Sequence, residues 1–284
     1  MINLEVLFSG IMLGSLYGLM SSGYSLIYGV GKVSNLAYGH LVIASIFVSY
    51  LTVVTLELSI FLAAPLAIAA AIVISLITMF FLEKVSHDEQ RVIFLSLGIA
   101  IIIENLLLAY FGGLYRFAPT PIAGLIEIGD VRLQTYRVVV FAITIALFVI
   151  TSLIVNRTSA GRSMRAVSEN EDASWLMGID VKRVKLLTAG VAGVLAGLSA
   201  LLLLPIYSIY PAVGWEYLLI GFAIVILGGL GSLNGTLLGG VILGTAESLF
   251  GYYISSGLRG ALYFVVIIIV LLVKPSGLLG KSED

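Results

Sequence analysis

Residues 137–155 read RVVVFAITIALFVITSLIV, an apolar run whose one charged residue is its first. An α-helix needs about 20 such residues to cross the hydrocarbon core of a bilayer, so this run predicts a membrane-spanning helix. Apolar runs between polar breaks predict further helices at 4–30, 41–56, 60–82, 92–111, 186–204, 216–230, 235–250 and 257–273. We therefore expect an all-α integral membrane protein with about eight or nine transmembrane helices, some of them interrupted by glycine.

The composition supports this fold class over the whole chain. Of the 284 residues, 60% are hydrophobic and 11% are charged, and the mean hydropathy is +1.13. These values lie far from those of soluble domains, so residues 1–284 are interpreted as a single transmembrane domain. The chain has no cysteine, which excludes disulfides, iron–sulfur clusters and thiolate zinc sites. Its net charge of −1 argues against a nucleic-acid partner.

The lysine and arginine residues predict the orientation in the membrane, because basic loops tend to remain in the cytoplasm. Most of the fifteen fall on one side if the loop 156–185 and the C terminus are cytoplasmic, and four remain outside: Arg116, Arg132, Arg137 and Arg259. Nine spans place the N terminus outside, whereas a single crossing over 216–250 changes both the count and that side. The predicted location is the cell (inner or plasma) membrane, with multiple passes.

The loop 112–136 lies on the predicted outer side. Around Gly129 and Asp130 the sequence alternates partly between apolar and polar residues, which predicts a small β-hairpin. The loop is either an ordinary connector or a docking surface for something outside, and both interpretations stay open.

Small residues recur at four-residue spacing, which lets helix backbones pack closely. We interpret these ridges as packing within one subunit rather than as a dimer interface. They comprise Gly10, Gly14, Gly18 and Ser22, then Gly193 and Gly197, then Gly235 and Gly239, and finally Gly240 and Gly244.

Two apolar stretches are interrupted by glycine-rich breaks that contain an asparagine. The first is 29–40, with Asn35 and Gly39, and the second is 228–235, with Gly231 and Asn234. Irregular backbone at membrane depth persists only against protein or a water-filled path, so paired breaks indicate a translocation pathway and suggest an internal repeat. Two turns at the membrane surface are the alternative interpretation.

Three carboxylates fall in or near the apolar runs: Glu104, Glu216 and Glu247. Each is costly in lipid and is expected to face the protein interior. For Glu247, which follows the second break, a pathway role and a packing role are both open, and for Glu104 we favour packing. The candidate pathway residues are Asn35, Gly39, Gly231, Asn234 and Glu247.

The segment 156–180 reads NRTSAGRSMRAVSENEDASWLMGID and predicts two short helices. Ser168 with Glu171 matches a capping box and Gly178 supplies a left-handed stop, so the second helix should span 169–177. Acidic residues at its start suit the positive end of the helix, and the apolar residues after them offer a face to a partner's groove. A solvated amphipathic loop on the membrane is the alternative.

The sequence contains no phosphate-binding loop, and its two histidines do not form an HExxH motif. We therefore expect no ATP site and no metal site in this chain. An intramembrane enzyme is disfavoured, because no aspartate falls in a predicted span and no nucleophile–base motif is visible.

Four stretches carry a family resemblance. Residues 14–40 end in Asn-Leu-Ala-Tyr-Gly, where the family has an Asn-Phe-Ala-His-Gly-like motif, so Leu36 and Tyr38 depart from it. Residues 157–179 are similar to the family's ATPase-coupling loop, 227–247 to its late glycine-rich segment and 274–280 to its C-terminal signature. By these stretches the sequence resembles the LivH-type permease subunits of the branched-chain amino acid ABC transporter family, and the resemblance covers nearly the whole chain.

The resemblance implies the architecture of an ABC importer permease. Its partners would be a homologous second permease or a second copy, two cytoplasmic ATPases that bind ATP and Mg²⁺, and an extracellular or periplasmic solute-binding protein. Leucine, isoleucine or valine would be the substrate, with urea, amides or other amino acids as alternatives. Within the loop 156–185 the coupling residues would be Ala166, Glu169, Asp172, Ala173, Leu176, Gly178 and Ile179.

An ion-coupled secondary carrier is the second function class. It would use the same broken helices, with Glu104 or Glu247 as the ion site, but it would not need an acidic docking helix at 169–179.

Overall fold

The computed structural model describes residues 3–129 and 131–280, and the chain folds into eleven α-helices with one β-hairpin over that part. A π-helical turn (Leu51–Thr55) extends the second helix, and a 3₁₀ turn (Ser256–Leu258) precedes the last one. The elements are α1 (Leu4–Gly31), α2 (Tyr38–Tyr50), α3 (Ile60–Glu83), α4 (Glu89–Phe111), β1 (Leu125–Ile128), β2 (Val131–Gln134), α5 (Thr135–Arg157), α6 (Ser159–Glu169), α7 (Glu171–Leu176), α8 (Val181–Leu203), α9 (Val213–Gly228), α10 (Leu233–Tyr253) and α11 (Arg259–Val273).

Every apolar run predicted from the sequence is helical, which confirms the all-α membrane fold. Among the described residues, six segments are long and apolar enough to cross a membrane: α1, α2 with its π-helical turn, α3, α4, α5 and α8. Helices α9 and α10 pass this test together but are bent by 118°, and α11 is shorter, at 15 residues. The predicted count of about eight or nine spans is therefore approximate, since six or seven meet the length criterion.

The helices connect two ends of the molecule. At the first, the hairpin end, a carboxylate oxygen of Glu5 accepts a hydrogen bond from the backbone N–H of Arg132 (2.8 Å). At the same end, the backbones of Arg116 and Ile209 exchange two hydrogen bonds of 2.9 Å. The N-terminal turn of α1, the β-hairpin and the segment 204–212 therefore lie together.

The second, the loop end, carries the 156–185 loop. Here the end of α1 meets the turn between α9 and α10, because Gly29 lies against the backbone of Gly231. The C-terminal tail packs at this end too, where the N–H of Leu278 donates to the carbonyl of Leu227 (2.8 Å). Helices α1, α3, α5, α9 and α11 thus run from the hairpin end to the loop end, and α2, α4, α8 and α10 run back.

The predicted hairpin around Gly129 is confirmed. Strands β1 and β2 pair antiparallel, with Leu125 opposite Gln134 and Ile128 opposite Val131. Gly129 has a φ of +62°, as a tight turn requires, while Asp130 lies outside the described residues.

Helices α1 to α4 and helices α8 to α11 form two halves of an inverted repeat. Helices α1, α2, α3 and α4 correspond to α8, α9, α10 and α11. The contact of α1 with α10 corresponds to that of α8 with α3. The contacts of α2 with α3 and α4 correspond to those of α9 with α10 and α11. Because α1 and α8 run in opposite directions, the two halves have opposite topology. The internal repeat suggested by the sequence is present, and α5, α6 and α7 connect its halves.

The repeat makes α2 and α9 equivalent, and both begin inside the bundle. The Tyr38 hydroxyl, at the start of α2, donates to the carbonyl of Met20 in the middle of α1 (2.8 Å). The Tyr207 hydroxyl, just before α9, lies 3.0 Å from the Tyr17 hydroxyl, also in the middle of α1. Segments 32–37 and 204–212 therefore return from opposite ends into the interior.

The predicted equivalence of the breaks 29–40 and 228–235 is wrong, since the repeat pairs the first break with 204–212. The turn 229–232 instead joins α9 to α10 at the loop end, where Gly229 and Gly231 adopt φ values of +103° and +79°. The equivalence was missed because 204–212 contains no glycine or asparagine.

The small-residue ridges pack within the chain, as predicted. A Cβ on Gly14 would lie 2.4 Å from the carbonyl oxygen of Gly240, and one on Gly244 would lie 2.2 Å from Cα of Gly14. The equivalent contact in the other half brings Gly193 against the backbone of Ile72 on α3. Both crossings let helix backbones touch, which is the way helices associate in a membrane.

Candidate functional site

The 156–185 loop forms two short helices, as the sequence predicts. Thr158 caps α6, where its hydroxyl accepts a hydrogen bond from the Gly161 N–H (3.1 Å). Asn170 caps α7, where its side-chain oxygen accepts from the Ala173 N–H (2.8 Å). Gly178, at φ +82°, ends the turn after α7, as predicted.

The predicted capping box is wrong. Ser168 lies inside α6, which continues to Glu169, so its hydroxyl does not cap the second helix. The cap is Asn170, and α7 covers 171–176 rather than 169–177. Asparagine is as good an N-cap as serine, and the Ser-x-x-Glu spacing concealed it.

The turn at the end of α7 presents an apolar surface to the outside of the molecule. Trp175, Leu176 and Met177 are 69%, 76% and 83% exposed. Asp172 and Ala173 are exposed beside them. Three adjacent large apolar side chains with such exposure at the end of a bundle are typical of a surface that a partner covers.

The remaining predicted coupling residues anchor or flank this surface. Glu169 and Gly178 are exposed, whereas Ala166 and Ile179 are half-buried. Ile179 packs on a buried apolar cluster formed by Val30, Met164, Val167 and Val184, which joins α1, α6 and the start of α8. The loop is therefore fixed to the helices on one side and open on the other.

An ion-pair cluster that sequence reasoning missed ties the loop to the bundle. Lys185, only 3% exposed at the start of α8, has its Nζ 2.8 Å from a carboxylate oxygen of Glu171 and 3.5 Å from one of Glu83. These acids begin α7 and end α3, respectively. No local pattern indicates the contact, because Glu83 and Lys185 are 102 residues apart.

A cavity of ≈ 180 Å³ lies at the loop end between α1, α5, α6 and the turn before α10. Two predicted pathway residues, Gly231 and Asn234, line it, and Asn156, Arg165 and Ser168 contribute polar groups from the other side. This part of the predicted pathway is thus open to the end of the molecule that carries the 156–185 loop.

Asn35 and Gly39 lie together elsewhere, at the start of α2. Asn35 is buried, and its side-chain oxygen accepts a hydrogen bond from the Ala37 N–H (3.0 Å), which shapes the turn into the helix. Gly39 crosses the start of α9, and a Cβ there would lie 2.1 Å from the carbonyl oxygen of Gly214. These two residues fix the crossing of the broken helices.

Glu247 belongs to a third place, near the hairpin end. It is 2% exposed, and one carboxylate oxygen lies 3.7 Å from a guanidinium nitrogen of Arg259. The hydroxyls of Tyr17 and Tyr263 also interact with it. Because Glu247 is about 20 Å from Asn234 along α10, the five predicted pathway residues do not form one site.

A further polar group joins α2, α4 and α9 near their crossing. The indole Nε1 of Trp215 donates to a carboxylate oxygen of Glu104 (2.8 Å), and Nε2 of His40 lies 3.5 Å from the same oxygen. The rings of His40 and Trp215 meet edge to face at 4.5 Å. These three residues are far apart in the sequence, and no local pattern indicates that they are in contact.

Over residues 3–129 and 131–280, no group of three or more His, Cys, Asp or Glu side chains has the arrangement of a metal site.

Comparison with known proteins identifies the family of this chain. The family model "Branched-chain amino acid transport system / permease component" matches residues 6–271. The high-affinity branched-chain amino acid transport system permease protein LivH of Escherichia coli is 29% identical over 99% of this chain and 96% of its own length. The probable branched-chain amino acid transport permease protein LivH of Methanocaldococcus jannaschii is 28% identical, over 97% of this chain and 92% of its own.

Among solved structures, PsaBC from Streptococcus pneumoniae in complex with Fab has a chain with a TM-score of 0.55 at 14% identity, covering 96% of this chain and 92% of that one. That likeness is one of fold. With the inverted repeat and the family match over residues 6–271, the chain belongs to the family of branched-chain amino acid transport permease components and is a multi-pass membrane protein.

Proposed function

We propose that this chain is the transmembrane permease subunit of an ATP-driven importer of branched-chain amino acids. The observation that carries the proposal is the exposed surface of α7, which is fixed to two transmembrane helices through Lys185. A permease with no ATP site of its own needs such a surface, because the energy must arrive by contact with ATPase subunits.

In this proposal the 156–185 loop is the coupling loop and α7 is its coupling helix. Trp175, Leu176 and Met177 insert into a groove of the ATPase, and Glu169 with Asp172 face basic groups at its rim. Two ATPases bind ATP and Mg²⁺, a second permease completes the membrane unit, and an external solute-binding protein delivers the substrate. The loop end is then cytoplasmic and the hairpin end faces outside.

Transport would proceed by alternating access between the two ends. Closure of the ATPases moves α7, and Lys185 passes this movement to α8 and α3, which pack on each other. Since α8 precedes the broken entry into α9, its movement changes the crossing of α2 and α9 at Gly39 and Gly214. Asn35, Gly231, Asn234 and Glu247 are proposed pathway residues in this switch.

Leucine, isoleucine and valine are the proposed substrates, because relatives that match nearly the whole chain are described as branched-chain amino acid transport permeases. Urea, amides and other amino acids are the alternative substrates of such an importer.

The first test is a mild-detergent pull-down of the tagged chain from its native membranes, with mass spectrometry and an ATP-hydrolysis assay. We expect a similar permease and ATPases to be recovered. Recovery of the chain alone, without hydrolysis but with H⁺ or Na⁺ flux in liposomes, would replace the importer by an ion-coupled carrier.

The second test reverses the charge on the coupling surface. Glu169→Arg with Asp172→Arg should abolish ATP-coupled uptake and recovery of the ATPases. The matched control, Glu57→Arg with Glu127→Arg, makes the same change in charge at exposed positions towards the hairpin end and should leave recovery of the ATPases intact. Unchanged uptake by the first variant would contradict the docking role of α7.

A further inference from the structure

Glu104 places a carboxylate in helix α4, which has the length and apolarity of a membrane span. Helix α4 is long and apolar enough to cross a membrane, yet the Glu104 side chain is 23% exposed on the outside of this chain. A carboxylate in contact with lipid hydrocarbon costs roughly 2.5–3.5 kcal/mol or more. The exposed part of Glu104 is therefore suited to contact with a water-filled path or a polar partner rather than with lipid.

The groups around Glu104 leave its negative charge largely uncompensated. Within the described part of the chain, no lysine or arginine nitrogen lies within 4.0 Å of its carboxylate, whereas Glu247 has Arg259 at 3.7 Å. Trp215 satisfies one carboxylate oxygen with a neutral N–H donor. Remaining lone pairs of the carboxylate are available to a donor that enters from outside the chain.

His40 is a second, independent indication of a ligand at this place. The imidazole is completely buried; Nδ1 has no hydrogen-bond partner among the described residues, and Nε2 has only the 3.5 Å contact with Glu104. Buried polar groups of this kind normally find a partner in protein, in water or in a ligand. Since Nε2 points towards Glu104 at 3.5 Å, a group that binds at the carboxylate also comes within reach of the imidazole.

We propose that Glu104, Trp215 and His40 form a recognition site for the ammonium group of the transported amino acid. The carboxylate accepts charge-assisted hydrogen bonds from the ammonium, while the Trp215 N–H holds the carboxylate in place. The site lies where α4 approaches the broken helices α2 and α9, so occupancy is linked to the crossing that the transport cycle must change. This inference rests on the proposed function for the identity of the substrate.

The test uses the purified full-length chain in nanodiscs and the fluorescence of Trp215. The chain has two tryptophans, so Trp175→Phe leaves Trp215 as the one reporter. Three probes distinguish recognition of the amine from recognition of the carboxylate. L-leucine has both groups, isopentylamine has only the amine, and 4-methylpentanoate has only the carboxylate. We expect leucine and isopentylamine to change the emission with saturation and 4-methylpentanoate to leave it unchanged.

The decisive variant is Glu104→Gln, which keeps an oxygen acceptor for the Trp215 N–H but removes the charge. Because a neutral amide oxygen is a weaker acceptor for an ammonium than a carboxylate, we expect the Kd for isopentylamine to rise roughly tenfold. Glu216→Gln is the matched control, since it removes a carboxylate one residue from Trp215 whose partner is the Tyr210 hydroxyl (2.9 Å). The control should keep the original Kd.

Three results would overturn the proposal: no saturable response to either amine, an equal response to 4-methylpentanoate, or an undiminished response in Glu104→Gln. A thermal unfolding scan of each variant shows that the loss of response is not a loss of fold. The outcome is independent of the ATPase pull-down, so a failed amine response leaves the importer assignment standing and a failed pull-down leaves the amine site standing.

Discussion

Lys185 Nζ, at the start of α8, lies 2.8 Å from a carboxylate oxygen of Glu171, the first residue of α7. The lysine is buried whereas the glutamate is 47% exposed, so the pair joins the interior of the bundle to its docking surface. Burial limits screening by salt and makes this contact more rigid than an ion pair between two exposed side chains.

Lys185→Met should separate ATP hydrolysis from transport. Methionine fills the buried volume but cannot hold Glu171, so movement of α7 no longer pulls on α8 and α3. We expect several-fold less substrate transported per ATP hydrolysed, measured with the full complex in proteoliposomes. The free energy of unfolding should fall by about 1–3 kcal/mol, because the half-exposed Glu171 regains water whereas the less exposed Glu83 loses its cation.

Two variants show whether the pair acts by coupling. Lys182→Met removes an exposed lysine one turn earlier on α8 and should leave the coupling ratio unchanged. Glu171→Gln should reproduce the effect of Lys185→Met from the other side of the contact. If hydrolysis and transport instead fell in the same proportion, Lys185 would be a structural residue with no part in coupling.

The orientation can be measured directly, because the natural chain has no cysteine. Met177→Cys replaces a side chain that is 83% exposed at the loop end. Leu114→Cys replaces one that is 79% exposed towards the hairpin end. We expect a membrane-impermeant maleimide to label Leu114→Cys in intact cells or spheroplasts. Met177→Cys should be labelled only in inverted vesicles, after removal of the ATPases that cover it. The opposite labelling would reverse the proposed sides of the membrane.

The apolar part of the docking surface should contribute to ATPase binding without contributing to the fold. Leu176→Ser should weaken recovery of the ATPases by tenfold or more, since a well-packed interface anchor is worth about 2 kcal/mol. Leu114→Ser replaces a leucine of similar exposure at the other end and serves as the control. Equal recovery by quantitative pull-down for the two variants would show that α7 is not the contact.

The sequence predicted the features that depend on local pattern. The apolar runs become helices, the glycine ridges become helix crossings, and the α7 segment forms with Gly178 at its end. Hydropathy and the backbone freedom of glycine are properties of a few neighbouring residues, so they can be read from one sequence.

The missed features depend on contacts between distant segments. Lys185 with Glu83, and His40 with Glu104 and Trp215, meet only because the inverted repeat folds α2 against α9 and α3 against α8. The repeat itself was paired incorrectly, because one entry into the bundle uses glycine and asparagine and the other uses Tyr210 and Pro211. Equivalent backbone paths can be built from different residues, and the residue pattern does not show the equivalence.

Two neighbouring glycines on α8 should respond in opposite ways to alanine. A Cβ at Gly193 would lie 2.7 Å from Cα of Ile72, whereas at Gly190 nothing lies within 4 Å. Gly193→Ala should therefore lower the free energy of unfolding by about 1–3 kcal/mol through overpacking. Gly190→Ala should leave it unchanged or raise it by up to about 1 kcal/mol through helix propensity. Thermal unfolding in nanodiscs measures both, and equal effects would contradict the close crossing of α8 and α3.

Removal of Arg259 should be costly because it leaves Glu247 buried without its guanidinium partner. Arg259→Met is expected to lower the free energy of unfolding by roughly 1–3 kcal/mol, because the Glu247 side chain is only 3% exposed although Arg259 itself is 40% exposed. The exposed pair Arg132 and Glu127, with side chains 69% and 62% exposed, provides the control. Arg132→Met should cost less than about 1 kcal/mol.

The double variant Arg259→Met with Glu247→Met distinguishes the interaction between these two residues from their other contacts. If the cost of Arg259→Met comes from the stranded carboxylate, the double variant should recover most of the lost stability, since both charges are gone and apolar side chains fill the space. Additive losses in this double-mutant cycle would show instead that Arg259 acts through other contacts, such as its packing over Gly251, where its guanidinium lies 3.1 Å from a Cβ position. In that case the Glu247 carboxylate would draw its stabilisation from the hydroxyls of Tyr17 and Tyr263.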